Sequence, residues 1–269
     1  MRGSSVRPRA GDGARGGRGA AERVLRVDVN LAAMTEHTHP ASRGTRRFAA
    51  RAVILDLDGT LLDTATDLAA GVNAMLAELG RPEVPVERVA SYVGKGAEVL
   101  VHRALTGDPH GRADAALHSR AMRSFGAHYA RENGLRARPY PGVVDGLRAM
   151  RASGLRMAVV TNKPGAFTGP LLERTGLAGY FECVVAGDTL ATKKPHPGPM
   201  LHVCERFGVA PAQVVAIGDS QNDAQAARAA GVAVMAVPYG YSEGIDVRTL
   251  DVDAIVESLL LAAQLIDPA

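Results

Sequence analysis

The chain has 269 residues, of which 46% are hydrophobic and 22% are charged, a composition typical of a soluble globular protein. Its two cysteines, Cys183 and Cys204, lie far apart in unrelated contexts, which argues against a disulfide framework and favours a reducing compartment. The nearest approach to a membrane helix is SLLLAAQLI, well short of the roughly 18 apolar residues that a span needs, so we expect no membrane partner.

The net charge of +3 is unevenly distributed, because residues 1–51 hold 11 of the 31 basic residues and only 4 of the 28 acidic ones. Residues 1–50 are rich in Gly, Arg and Ser, and we expect a disordered extension there, with Met34 as an alternative start. The stretch GARGGRG is also typical of nucleic-acid-binding segments, but composition alone favours the simpler interpretation and no nucleic-acid partner. TRRFAA resembles a twin-arginine export signal without the apolar region that should follow it, so we expect a cytoplasmic protein.

Strands and helices alternate from residue 52 onward, apart from one block. The predicted strands are AVILDL, LRMAVVT, CVVAG, VVAIGD and VAVMAV. The predicted helices between them are Val143–Ala152, Ala166–Thr175, Pro199–Phe207 and Asn222–Ala230. This alternation predicts an α/β fold: a three-layer, Rossmann-like core with a mostly parallel sheet, built from residues 51–66 and 139–269.

Residues 67–138 interrupt this alternation, because they contain helical patterns and no convincing strand. The first of these helices has the spacing of a capping box at its start, with Thr64 and Asp67, and it ends at Gly80. Further helices are predicted over Ala97–Leu105 and Ala113–Glu132. An all-helical segment inserted just after the first strand predicts a cap domain over the edge of the sheet.

Polar side chains follow the predicted strands where they end. The first strand is followed by Asp56 and Asp58, and the second by Thr161 and Asn162. A loop after the third strand holds TKKPHP, which contains Lys194. The fourth strand ends in GDSQND, which contains Asp219 and Asp223. Each has an ordinary structural explanation: Thr161 as a helix cap, Ser220 and Asp223 as a capping box, and the lysines as a solvated pair. Their coincidence at one edge of a parallel sheet favours a ligand site.

Neighbouring carboxylates repel one another and need a cation to stabilise them. Three carboxylates with few histidines or thiols nearby favour a hard divalent ion, and Mg²⁺ fits best. A threonine, helix N-termini and a lysine suit the oxygens of a phosphoryl group. The pattern therefore indicates a small phosphorylated metabolite as substrate, attacked by one aspartate to give an aspartyl-phosphate.

These residues resemble the haloacid dehalogenase superfamily, and within it the phosphoglycolate phosphatase type, over residues 52–265. DLDGT, VVTNK, KKPHP and GDSQND match its four motifs in order. The resemblance implies that Asp56 is the nucleophile and Asp58 the general acid/base. It also implies that Thr161 binds the phosphoryl group and that Lys194 stabilises it, with Asn162 as a further substrate-binding residue. It also implies that Asp56, the backbone carbonyl of Asp58, and Asp219 bind Mg²⁺, while Asp223 orients these ligands or the lysine.

The helical block matches the class 1 cap of this superfamily, and its loop YVGKGAEVL would face the substrate, with Lys95 as a candidate substrate-binding residue. The resemblance points to hydrolysis of 2-phosphoglycolate. N-acetylmuramate 6-phosphate or pyrophosphate as substrate, a sugar phosphomutase, and a non-catalytic binding module stay open as alternatives. The sequence carries no signal for an oligomeric state.

Overall fold

The computed structural model describes residues 46–269, which form an α/β core with a helical insertion. The strands are β1 (Phe48–Ala50), β2 (Ala52–Leu55), β3 (Leu62–Asp63), β4 (Arg138–Pro139), β5 (Arg156–Val160), β6 (Cys183–Val185), β7 (Val214–Gly218), β8 (Ala233–Ala236), β9 (Ala254–Ile255) and β10 (Ile266–Pro268). The α-helices are α1 (Ala65–Glu78), α2 (Val86–Ala90), α3 (Ala97–Thr106), α4 (Ala115–Glu132), α5 (Val143–Ala152), α6 (Gly165–Arg174), α7 (Gly198–Phe207), α8 (Gln221–Ala230) and α9 (Leu259–Gln264).

The main sheet has six strands in the order β6-β5-β2-β7-β8-β9, and every neighbouring pair is parallel. The central strand β2 is buried at all four positions, as expected for a strand covered on both faces. Val53 and Leu55 pack into a hydrophobic cluster with α5, α6 and α9, whereas Ala52 and Ile54 pack with α7 and α8. The predicted three-layer arrangement around a parallel sheet is confirmed.

The register of the central strands brings the predicted site residues to one edge. Leu55 of β2 lies opposite Val159 of β5 on one side and Ile217 of β7 on the other. Because the three strands run in the same direction, the residues that follow them emerge at the same level. This edge therefore collects the loops after β2, β5 and β7, as the sequence predicts.

Helices α1 to α4, here called the helical insertion, lie between β3 and β4 and share a hydrophobic cluster of their own. The antiparallel pair β3–β4 brings the entering and returning chains together, with Leu62 opposite Pro139. Of the helices that the structure describes, none combines the length and apolarity that a membrane crossing requires.

The capping box predicted at the start of α1 is wrong. Thr64 makes no side-chain capping bond, and its hydroxyl instead donates to Asp58 Oδ1 over 2.7 Å. Asp67 is buried and accepts backbone N–H bonds from Gly134, Arg136 and Ala137 at 2.9–3.0 Å. The spacing typical of a cap thus serves two other purposes: Thr64 holds a site carboxylate, and Asp67 ties the returning chain to α1.

The boundary predicted for the N-terminal extension also differs from the structure. Phe48–Ala50 form β1, which pairs in parallel with β10, and Phe48 and Ala50 are buried. A three-residue strand is too short to show a hydrophobic period in the sequence. Its formation depends on pairing with β10, which lies at the other end of the chain. The rest of the predicted extension, residues 1–45, lies outside the described residues.

Candidate active site

Three aspartates from two strand ends form the centre of the site. Asp56 follows β2, while Asp219 follows β7 and Asp223 lies in the first turn of α8. One carboxylate oxygen from each lies within 4.8 Å of the others. The structure therefore brings together three of the four carboxylates that the sequence predicts for this edge.

Lys194 binds this cluster from a buried position. Its Nζ lies 2.6 Å from Asp223 Oδ1 and 2.8 Å from Asp56 Oδ1, and it donates to the carbonyl oxygen of Val160 over 2.8 Å. Burial alone would lower the pKa of Lys194, but Asp223 and Asp56 outweigh burial and the net shift is upward. The lysine is thus held as a cation beside the predicted nucleophile.

Asp223 serves as both a helix cap and a partner of the lysine. Its Oδ2 accepts bonds from the backbone N–H and hydroxyl of Ser220, at 3.1 Å and 2.6 Å, while its Oδ1 accepts from Lys194. The capping box predicted for Ser220 and Asp223 is therefore present, and the second oxygen of Asp223 is left to hold the lysine.

Three hydrogen-bond donors surround the side chain of Asp219. Its side chain accepts bonds from the Thr60 hydroxyl and from the backbone N–H groups of Tyr241 and Ser242, at 2.9, 2.8 and 3.2 Å. Gly59 has a φ of +87°, and a Cβ there would lie 2.6 Å from Asp219 Oδ2. Only glycine fits this close approach in that conformation, which explains the glycine of DLDGT.

The carboxylate cluster fits a divalent cation. Asp56 Oδ1 is buried in an ion pair with Lys194 Nζ at 2.8 Å. Burial raises the pKa of Asp56 to about 8, with Asp223 and Asp219 adding to the shift against Lys194. Burial likewise raises the pKa of Asp219 to about 6, assisted by Asp223. A bound Mg²⁺ would supply the positive charge that keeps these carboxylates ionised, through the all-oxygen ligands that it prefers.

The side chain of Asp58 turns away from this cluster. It accepts bonds from the Thr64 hydroxyl and from Lys163 Nζ, the latter at 3.1 Å and 3.2 Å. Lys163 is buried, and its Nζ also donates to the hydroxyl oxygen of Tyr129 over 2.6 Å. Tyr129 belongs to α4, so this lysine joins a core carboxylate to the helical insertion.

Thr161 and Asn162 follow β5 and are buried at the same edge. The Thr161 hydroxyl accepts a bond from the backbone N–H of Lys163 over 3.2 Å. Asn162 Nδ2 donates to the carbonyl oxygens of Gly94 and Lys194, each over 2.9 Å. Asn162 therefore connects the loop of the insertion with the lysine loop of the core.

Lys95, the predicted substrate-binding residue of the insertion, lies outside the wall of the cavity described below. Its Nζ lies 3.5 Å from Glu243 Oε2, and its side chain is 45% exposed and absent from the cavity wall. Gly94 and Gly96 flank it, and a Cβ at Gly96, whose φ is +88°, would lie 2.9 Å from the Asn162 carbonyl oxygen. The backbone of this loop thus approaches the core closely, which leaves the lysine side chain pointing outward.

A cavity of about 40 Å³ lies between the strand ends and the insertion. Its core side includes Asp56, Asp58, Thr161, Asn162 and Lys163. Its other lining residues are mainly apolar, and they are Leu68, Val93, Gly94, Gly96, Ala97, Leu100, Phe125, Tyr129, Pro164 and Phe167. The carboxylates of Asp56 and Asp58 and the buried Lys163 thus line a small chamber, and Lys194 lies beside it in contact with Asp56.

Sequence reasoning misses three residues at this site. Lys163 stands in the motif VVTNK, where its position next to Thr161 and Asn162 is an available signal. Tyr129 and Glu243 lie far from the motifs in sequence. Glu243 accepts bonds from the buried Arg103 of α3 at 2.9 Å and from Asn222 at 2.7 Å.

A family model described as haloacid dehalogenase-like hydrolase matches residues 50–231. This range begins at the last residue of β1, contains the whole helical insertion, and ends just after α8. All the strand-end residues described above fall within it.

Proteins with similar sequences carry a more specific name. A phosphoglycolate phosphatase from Nitrosospira multiformis is 56% identical over 216 residues, covering 80% of this chain and 95% of the relative. A phosphoglycolate phosphatase from Thiobacillus denitrificans is 52% identical over 219 residues, covering 81% and 96%. The crystal structure of a predicted phosphoglycolate phosphatase from Haemophilus somnus has a TM-score of 0.75 at 33% identity, covering 80% of this chain and 97% of that one.

Proposed function

Since the chain belongs to the haloacid dehalogenase-like hydrolase family, we propose that it is a Mg²⁺-dependent phosphatase that splits 2-phosphoglycolate into glycolate and phosphate. The observation that carries this proposal is the buried Asp56 carboxylate, which is paired with Lys194 at 2.8 Å and has an oxygen within 4.8 Å of oxygens of two further carboxylates. The names of the relatives from Nitrosospira multiformis and Thiobacillus denitrificans support the choice of substrate.

Asp56, Asp219 and the backbone carbonyl of Asp58 are the groups that would hold the ion. When bound, Mg²⁺ offsets the repulsion between the site carboxylates and the phosphoryl group and neutralises charge during transfer. The hydrogen bonds to Asp219 and the pair of Asp223 with Lys194 keep these side chains oriented.

Asp56 then attacks the phosphorus atom. The bond from phosphorus to the leaving oxygen breaks, and an aspartyl-phosphate forms on Asp56. Asp58 gives its proton to the leaving oxygen, which departs as the hydroxyl of glycolate. In the second half of the reaction, Asp58 takes a proton from water as that water attacks the phosphorus atom, which releases phosphate and restores Asp56.

The other residues at the strand ends position the phosphoryl group. Thr161 lies beside the cavity with its hydroxyl available as a donor, and Lys194 carries a charge that stabilises the transferring oxygens. The helical insertion acts as the cap that closes this chamber. The small size of this cavity favours a short leaving group over a sugar.

The test is a phosphate-ester panel assayed with the purified full chain. We expect the highest kcat/KM for 2-phosphoglycolate, above N-acetylmuramate 6-phosphate, pyrophosphate and a hexose phosphate, with all turnover lost in EDTA and restored by Mg²⁺. Undiminished turnover in EDTA would contradict the metal assignment. Interconversion of the hexose phosphate without phosphate release would instead identify a mutase.

A further inference from the structure

Lys163 occupies an unusual place in the cavity wall. It is 5% exposed, and its Nζ contacts Asp58 from the core and Tyr129 from the insertion. Among the described residues that line the cavity, it carries the one positive charge. A buried ammonium group needs a compensating partner, which Asp58 supplies here, and Lys163 lines the cavity as well.

The insertion side of the cavity wall offers a charged ligand few other partners. Leu68, Val93, Leu100 and Phe125 present apolar surface. Tyr129 contributes a hydroxyl, and its ring is fixed by stacking on Phe125 at 5.2 Å and by an edge contact with Phe167 at 4.9 Å between ring centroids. A second anionic group on a substrate would therefore meet Lys163 and the Tyr129 hydroxyl together.

The short separation between the leaving oxygen and the carboxylate of 2-phosphoglycolate also favours Lys163 and Tyr129 as the carboxylate's partners. Under the proposed function Asp58 contacts the leaving oxygen, and Lys163 Nζ lies 3.1–3.2 Å from the Asp58 carboxylate. The carboxyl carbon of 2-phosphoglycolate is only two bonds from its leaving oxygen. A carboxylate on so short a leaving group falls within reach of Nζ when the oxygen lies at Asp58.

We propose that Lys163, with the Tyr129 hydroxyl beside it, is the subsite that binds the carboxylate of the leaving group, and that it selects short phosphorylated acids over neutral esters of the same size. This inference rests on the proposed function. It adds a substrate-binding residue from the core itself, two positions after Thr161, where the sequence suggested Lys95 of the insertion.

The alternative for Lys163 is a positioning role, in which it only orients Asp58. The two roles differ in one measurable quantity, the preference between esters with and without a carboxylate. Ethyl phosphate is the matched probe, because it ends in a methyl group where 2-phosphoglycolate has its carboxylate. Removing a positioning residue should lower kcat/KM equally for both esters. Removing a carboxylate-binding residue should lower kcat/KM more for 2-phosphoglycolate than for ethyl phosphate.

The experiment compares kcat/KM for the two esters in the full chain with Mg²⁺. We expect the natural sequence to prefer 2-phosphoglycolate by a factor on the order of 10–100 or more, as for a hydrogen bond to a charged group. Lys163→Met should lose most of that preference, beyond any common loss in rate. Lys193→Met is the matched control: this half-buried lysine is absent from the cavity wall, so its removal should leave the preference intact.

Equal losses for both esters in Lys163→Met would overturn the inference in favour of positioning. A ratio near one in the natural sequence, with both esters hydrolysed, would overturn it without any variant, which covers the case of a Lys163→Met chain that fails to fold. If the natural sequence hydrolysed neither 2-phosphoglycolate nor ethyl phosphate, that result would contradict the proposed function, and this inference with it.

Discussion

The two sides of the cavity are built on different principles. On the core side, each charged group is fixed by neighbours: Lys194 by Asp56 and Asp223, and Asp58 by Thr64 and Lys163. On the insertion side the wall is mostly apolar, and the Tyr129 hydroxyl is its contact with the core charges. Under the proposed function, this difference assigns the reaction to the strand ends and the choice of leaving group to the insertion.

The largest effect should come from the core side, and it should separate the two aspartates of DLDGT. Asp56→Asn removes the proposed nucleophile and should abolish both aspartyl-phosphate formation and turnover. Asp58→Asn keeps the nucleophile but loses proton transfer, worth on the order of 10²–10⁴-fold in rate. With p-nitrophenyl phosphate, whose leaving group needs little protonation, Asp58→Asn should give a burst of product and then stall.

Rapid-quench mass spectrometry on both variants measures this difference directly. We expect a phosphorylated chain in Asp58→Asn and none in Asp56→Asn. Phosphorylated Asp56→Asn, or full steady-state turnover in Asp58→Asn, would reverse the roles and remove the contrast between the two carboxylates.

A smaller effect should come from the contact that seats the insertion on the core. Glu243 accepts a bond from Arg103, whose side chain is 4% exposed, and lies 3.5 Å from Lys95. Glu243→Gln removes the charge that balances a buried guanidinium and should lower the free energy of unfolding by about 1–3 kcal/mol. Because Glu243 lies outside the reacting groups, KM should rise more than kcat falls.

The matched control for Glu243 is an exposed ion pair. Asp145 pairs with Arg148 at 3.4 Å with both side chains mostly exposed, and Asp145→Asn should change stability by less than about 1 kcal/mol. Thermal unfolding and steady-state kinetics on both variants test the comparison. A Glu243→Gln chain as stable as Asp145→Asn, with unchanged KM, would show that this contact does not hold the insertion in place.

The smallest effect should follow removal of residues 1–45. Their Gly- and Arg-rich composition predicts little buried apolar surface, so the shortened chain should keep its kcat and its melting temperature. Residues 46–269 should be retained, because β1 begins at Phe48. A melting temperature several degrees lower, or lost turnover, would contradict the prediction of a disordered extension.

The core side of the site is predictable from the sequence for a simple reason. In a parallel sheet, the residues that follow neighbouring strands all lie at the same edge. Recognising the strands in the amino-acid sequence is therefore enough to place Asp56, Thr161 and Asp219 together. Local spacing is less reliable, since Thr64 and Asp67 have capping-box spacing and yet bind elsewhere.

The insertion side is not predictable in the same way. The contact between Lys163 and Tyr129 depends on how α4 packs over the core, and the contact of Arg103 with Glu243 joins residues 140 positions apart. No periodicity or motif encodes such pairs, because they arise only when the two parts are brought together. The sequence pattern points to Lys95 as a substrate-binding residue because it lacks this information.

The pairing of β1 with β10 has a consequence for synthesis of the chain. Arg47 beside β1 and its partner Asp267 are 220 positions apart, so β1 leaves the ribosome long before its partner strand exists. Domains tend to fold while translation proceeds, and unpaired strand edges invite association with other chains. This small sheet must therefore close late, and a nascent chain halted before β10 would expose the apolar face of Phe48 and Ala50 to chaperones or to its own neighbours on the polysome.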